Sequence, residues 1–160
     1  MRGLRWLCRT GVALVIGLRC LSAAAACVDD VPWQAVAPGV WVWSPEREAE
    51  ISADNAGHVL PTTVLVHEKQ ALLIDPGPSL AHGQRVRRSL ACRFGAQVRW
   101  IVNTHAHAEN VLANSAFAQE VAQGRVSILA SEATRAGMAA RCPDCLDSLT
   151  RRAGAEALRG

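Results

Sequence analysis

Alternation and periodicity divide the chain into short apolar runs separated by polar turns. Val40-Trp41-Val42-Trp43 is β-branched and aromatic throughout and predicts a strand, entered through a Pro38-Gly39 turn after a leader over residues 29–37. Residues 44–55 are polar and acidic and predict a loop. Two further apolar runs, 62–67 (T-T-V-L-V-H) and 71–74 (A-L-L-I), lie close enough to form a hairpin across Glu68-Lys69-Gln70, although that turn lacks Gly or Asn. The second run stops at Asp75-Pro76-Gly77-Pro78-Ser79. Ser79 is placed to cap a helix over 80–94 whose Val86, Leu90 and Phe94 fall on one apolar face, with Gly95 closing it.

Downstream, helix and strand alternate. Residues 97–102 predict a buried strand, 109–123 a helix with Val111, Leu112, Ala116 and Val121 facing the core, and 126–130 another strand. Ser131 is expected to cap a helix over 132–140, and 150–160 carries a weaker helical pattern. Antiparallel strands followed by alternating helix and strand imply a mixed sheet with helices on one face. With no helix left for the other face, an apolar sheet surface is expected to stay open, to be covered by a homodimer partner or another protein.

The chemistry concentrates where the 97–102 strand ends. Ile101 to Asn110 reads I-V-N-T-H-A-H-A-E-N, apolar and then abruptly polar. In extended backbone, residues two apart project to the same side, so His105 and His107 can offer both imidazoles to one ion. Catalytic zinc usually takes three protein ligands and leaves a position for water, so two histidines alone do not complete such a site. The bland alternative is a polar loop at a strand end. His58, His67 and His82 have no partner spacing and read as surface or loop residues, and Trp33, Trp41, Trp43 and Trp100 as core or edge aromatics.

Length and composition bound the rest. A chain of 160 residues, half of them hydrophobic, suits one domain with a sizeable core. The net charge of +3 is mild and no basic run is interleaved with aromatics, so nucleic-acid binding has no support. Residues 1–26 read as a signal peptide: Arg2, Arg5 and Arg9 at the front, a short apolar run over 11–18, and small residues over 22–26. That run is far shorter than the ~20 residues of a spanning helix, so the mature chain, 27–160, is expected to carry no transmembrane helix and to reside in the periplasm or outside the cell. Cys27 directly after the alanines raises a lipoprotein reading, ranked second because the position three before it is Ala.

Removing the leader leaves Cys27, Cys92, Cys142 and Cys145, whose three connectivities sequence cannot separate. Cys142 and Cys145 form a possible local disulfide. A redox pair is the alternative, and the absence of a second C-x-x-C removes a zinc ribbon. Cys92 is a candidate partner for Cys27 or for the Cys142 pair, or a buried thiol.

Leu72-Leu73-Ile74-Asp75-Pro76-Gly77, followed by Asn103-Thr104-His105-Ala106-His107-Ala108-Glu109-Asn110, resembles the first half of a metallo-β-lactamase-fold hydrolase. The order strand, I-D-x-G, helix, strand, T-H-x-H also matches. The leader, the E-N ending and residues 111–117 (V-L-A-N-S-A-F) resemble more narrowly the exported quinoprotein relay system zinc metallohydrolases. The resemblance runs from about Val36 to Cys145. It implies an α+β, four-layer αββα sandwich of two similar halves, of which this chain has the first, with metal held in a cleft at the strand ends.

The family motif is H-x-H-x-D-H. His105 and His107 match its first two positions and are implied metal ligands. Glu109 stands at the Asp position as an implied ligand or catalytic general base, with the helix N-terminal acid as its plain alternative. Asn110 replaces a second-metal histidine and is a poor zinc donor, so one weakly bound Zn2+ is the expectation. Asp75 is given a supporting role beside the metal loop. The family draws its remaining ligands from a second half, whereas no histidine follows His107 here. Two functions therefore compete: an exported zinc hydrolase linked to periplasmic quinoprotein oxidation and weakly active or inactive alone, or a non-catalytic secreted binding or accessory domain on a decayed hydrolase scaffold. No feature of the chain identifies a substrate.

Overall fold

A computed structural model of the protein describes residues 27, 31–46 and 50–158. The signal-peptide reading of 1–26 lies outside the described residues. One six-stranded sheet in the order β1-β2-β3-β4-β5-β6 organises the chain. Its strands are β1 (Gln34–Ala37), β2 (Val40–Trp43), β3 (Thr62–His67), β4 (Gln70–Ile74), β5 (Gln97–Asn103) and β6 (Ser127–Ala130). The first four pair antiparallel, and β4-β5-β6 pair in parallel. A parallel pair needs a crossover, and helix α1 (Leu80–Phe94) supplies it between β4 and β5.

Alternation decides what each face meets. Val64 pairs with Leu73, and Leu73 with Ile101; all three are fully buried and share a core with Val86 and Leu90 of α1. Fully burying such a side chain contributes about 1.5–3 kcal/mol. On the opposite face Leu65, Leu72 and Trp100 stand in register. Leu65 is 39% exposed, Trp100 40% and Leu129 47%. The expected open apolar sheet face is therefore present among the described residues.

Helix α1 starts and stops as its caps dictate. The Ser79 hydroxyl accepts the His82 N–H at 3.1 Å, and Gly95 takes a left-handed conformation (φ 60°) that ends it. The 68–69 turn, without Gly or Asn, closes by placing Glu68 at φ 54°.

Four expectations differ from the structure. The 29–37 leader contains β1, an edge strand whose residues are all exposed; it is held by backbone pairing with β2, which leaves no burial alternation to read. The helix expected over 109–123 is broken into α2 (Ala108–Val111), a 3-10 stretch (Leu112–Phe117) and α3 (Ala118–Ala122). Its backbone is claimed from outside: Ala113 N–H donates to the Gly77 carbonyl at 3.0 Å, and the Asn114 side chain donates to Asn103 Oδ1 at 2.8 Å. Gly83 of α1 meets Ala113 and Ala116 so closely that a Cβ there would lie 2.7 Å from each contact.

The helix expected over 132–140 runs on as α4 (Glu132–Ala153), through the C-x-x-C segment. Pro143 withholds one amide hydrogen from the helix, while Leu149 and Ala153 join Ile51 in a second buried cluster that holds the distal half in place. The 150–160 helix reduces to the end of α4 and a 3-10 turn (Glu156–Leu158). No helix among the described residues is long and apolar enough to cross a membrane.

Candidate functional site

The parallel strands β4 and β5 end side by side, and the loops leaving them carry the candidate chemistry. Asp75, directly after β4, adopts φ 49° while its N–H donates to the Val102 carbonyl at 2.9 Å. That conformation is uncommon for a residue with a Cβ. It is held by the next loop: Asp75 Oδ1 accepts the Thr104 N–H at 2.9 Å, and Oδ2 accepts the Thr104 hydroxyl at 2.6 Å. Asp75 thus ties the end of β4 to the start of the histidine loop.

The chain of hydrogen bonds continues to an imidazole. Thr104 Oγ1 lies 2.8 Å from His105 Nδ1. The single hydroxyl hydrogen is committed to Asp75, because a carboxylate only accepts, so the hydroxyl must accept from His105 Nδ1–H. In the neutral tautomer with hydrogen on Nδ1, the lone pair lies on Nε2, the form a metal ligand requires. Thr134 Oγ1 of α4 donates to the Thr104 carbonyl at 3.1 Å and pins the same residue from behind. Thr104 and Thr134 escaped the sequence reading. For Thr104 the signal was its place directly before the first histidine; Thr134, thirty residues on, carried none.

His105 and His107 come together with ring centroids 4.7 Å apart at 78°. His105 is half-buried and His107 exposed. Glu109 opens α2 and turns its Oε1 back to 3.8 Å from His107 Nδ1. It also lies on the rim of two clefts, one of about 680 Å³ with Ser44, Glu50 and Pro61, the other of about 350 Å³ with His107, Arg141 and Cys145. Asn110 is buried, and its backbone carbonyl accepts the Gly77 N–H at 3.2 Å. Its Oδ1 has no hydrogen-bond partner among the described residues.

The donor set is two imidazoles and a carboxylate directed at one of them. Among the described residues no group of three or more His, Cys, Asp or Glu side chains is arranged to hold a metal ion. Two imidazoles stand together; the three protein donors that catalytic zinc usually takes are not assembled among the described residues.

His82 corrects the sequence reading more sharply, whereas His67 is exposed and His58 lies in a loop as expected. His82 is buried, stacked on Trp43 at 4.3 Å and 8°, with Nε2 3.1 Å from Thr62 Oγ1. His58 is half-buried, 4.4 Å from the Trp43 ring and 4.8 Å from His82. Burial, and then the neighbouring His58 and Arg85, push His82 down to about 3. Burial also lowers His58, against hydrogen bonds to the backbone at Trp43 and Leu60. Gly77, at φ 118°, sits where a Cβ would fall 2.3 Å from the His82 ring, so the I-D-x-G glycine is required by that imidazole. Of the other tryptophans, Trp33 is buried with its Nε1–H donating to Ser89 Oγ at 3.0 Å, and Trp100 lies on the open face.

Cys27 is bonded to Cys92, with Cα atoms 5.8 Å apart. A sulfur in a disulfide cannot carry a lipid thioether, so this pairing opposes the lipoprotein alternative. Cys142 and Cys145 are free thiols in this structure rather than a local disulfide.

The metallo-beta-lactamase superfamily model matches residues 57–125, the span from the His58 loop to the end of the histidine-bearing unit. Among solved structures, the mono-zinc form of a metallo-beta-lactamase from Pseudomonas aeruginosa is 22% identical with a TM-score of 0.56, over 73% of this chain and 50% of that one. A metallo-beta-lactamase from Hirschia baltica is 15% identical with a TM-score of 0.55, over 71% and 48%. One from Pontibacter korlensis is 17% identical with a TM-score of 0.53, over 69% and 47%. No functionally curated protein matches significantly. The fold is therefore metallo-beta-lactamase-like, and the chain spans about half the length of the solved structures it matches.

Proposed function

We propose that the chain is a metallo-hydrolase scaffold of metallo-beta-lactamase type whose His105 and His107 supply two ligands for one weakly held zinc. The observation that carries this reading is the Asp75–Thr104–His105 chain, which fixes a half-exposed imidazole with Nε2 free, next to a second imidazole. A polar loop with no ligand to hold has no need of an oriented tautomer. When bound in such a fold, zinc polarises a substrate oxygen and lowers the pKa of its water to ~7. The described residues do not complete the ligand set, so no catalytic step is assigned to them.

In this reading Glu109 is the carboxylate nearest the two imidazoles, 3.8 Å from His107, and a third donor comes from outside the described residues. The open Leu65–Leu72–Trp100 face fits the first half of a sandwich, with a second layer or a second copy covering it. The Cys27–Cys92 disulfide favours an oxidising compartment and so supports export to the periplasm. Association with quinoprotein-dependent oxidation rests on motif resemblance and concerns small-molecule substrates.

A second reading, a non-catalytic accessory domain on the same scaffold, is favoured by the buried amide of Asn110 where a second-metal donor would be needed. Hydrolytic activity of the purified chain that disappears in His105→Ala would eliminate it. Calorimetric titration with Zn2+ tests the first reading: heat of binding in the wild type, absent in both His105→Ala and His107→Ala, is the expected result.

A further inference from the structure

Helix α4 carries a pair of thiols that the metal reading does not use. Cys142 and Cys145 lie three residues apart and therefore share a helix face. Both are free; Cys142 is half-buried and Cys145 buried, and a side-chain hydrogen bond joins them. Burial, the hydrogen bond to Cys142, and then the charges of Cys142, Glu109 and Asp144 push the Cys145 thiol up to about 11. The same helix presses on the histidine loop: a Cβ at Gly137 would lie 3.0 Å from Ala106 Cβ. Cys145 itself lines the 350 Å³ cleft with His107 and Glu109.

The geometry points to Cys142 and Cys145 as a reversible dithiol–disulfide site that exchanges with an external aliphatic disulfide and reports its state to the histidine loop. The conditions that keep Cys27 and Cys92 bonded act on this pair too. Cys142, the more accessible sulfur, attacks the incoming disulfide; a mixed disulfide forms at Cys142 and one external thiol leaves. Cys145 then attacks the Cys142 sulfur, its proton passing to the departing second thiol. Two protein thiols are oxidised to one disulfide, and one external disulfide is reduced to two thiols.

Closure has a structural cost that makes the site reversible. Cβ atoms three apart on a helix are about 5–6 Å apart, while a disulfide holds them at about 3.5–4.5 Å. The turn at Cys142 must tighten by roughly 1 Å, and Pro143 leaves it one hydrogen bond short from the start. Strained bridges are the readily reduced ones. Tightening moves Cys145 relative to Glu109 and His107 on the cleft wall.

The test does not depend on zinc. The full chain is equilibrated with oxidised glutathione, free thiols are alkylated, and intact and peptide masses are read. The expected wild-type result is loss of both thiols together, no glutathione adduct, a Cys142–Cys145 peptide and an unchanged Cys27–Cys92 bond. In Cys145→Ser the reaction should arrest as a glutathione adduct on Cys142, with Cys145→Ala as the substitute if that variant does not fold. On oxidation of the wild type the His107 ring resonances should shift, and they should return with a reductant. Two persistent thiols, a stable adduct on the wild type, or scrambling onto Cys27 or Cys92 would overturn the site. An unmoved His107 signal would overturn its link to the loop.

Discussion

Thr104 Oγ1 donates to Asp75 Oδ2 at 2.6 Å, and through that bond a residue after β4 decides which nitrogen of His105 faces solvent. Thr104→Val keeps the shape and removes the hydroxyl. Partners of this kind typically change metal affinity 10–100-fold when mutated. Zinc affinity should therefore fall on the order of tenfold, with the fold intact, as read by competition with a chelating dye. Undiminished affinity would show that His105 needs no orientation from Asp75.

The buried histidine pair predicts an acid-sensitive core. His82 is held near 3 in the folded chain and returns to its ordinary 6.5 on unfolding, so the unfolded state binds more protons between those values. Its contribution is complete above pH 6.5 and is lost as pH falls toward 3. His58, lowered in the same direction, adds to the loss. Urea melts at pH 7, 5.5 and 4.5 should show stability falling, and His82→Gln should flatten the fall even if it lowers stability at pH 7. Equal pH slopes in the two proteins would contradict this.

Reducing Cys27–Cys92, which are 65 residues apart, should lower stability by about 2–4 kcal/mol. Thermal melts of Cys27→Ser against the wild type measure it. A change under about 0.5 kcal/mol would mean that the N-terminal segment adds little to the fold.

The open sheet face predicts self-association. Leu65 and Trp100, on β3 and β5, share its exposed apolar side. We expect sedimentation of the isolated chain to depend on concentration, and Leu65→Lys with Trp100→Lys to shift it toward monomer. A monodisperse wild-type monomer with a cooperative melt would show that the face tolerates water.

Legibility in the sequence followed local physics. Ser79 and Gly95 bounded α1 because caps act within one turn, and the strands that carry the buried Val64, Leu73 and Ile101 were readable because each is a local apolar run. The breaks in the 109–123 segment were not readable, since the groups that claim its backbone and side chains, Gly77 and Asn103, belong to other elements. His82 was misplaced for the same reason. Its partners Trp43 and Thr62 lie on β2 and β3, and only the pairing of those two strands sets both against its ring. His105 and His107 stood out because their pairing is a two-residue spacing. That no third donor joins them among the described residues agrees with the absence of any histidine after His107 in the sequence.

Metal stoichiometry decides whether His105 and His107 hold a single, weakly bound zinc. The purified chain is loaded with Zn2+, dialysed exhaustively and assayed for bound metal. One oriented imidazole beside a second, a carboxylate 3.8 Å from His107 and a buried Asn110 predict at most one zinc per chain, weakly held and lost in both His105→Ala and His107→Ala. Two tightly held metals per chain, or zinc that survives both substitutions, would show that the metal is held by other residues or by a fuller ligand set.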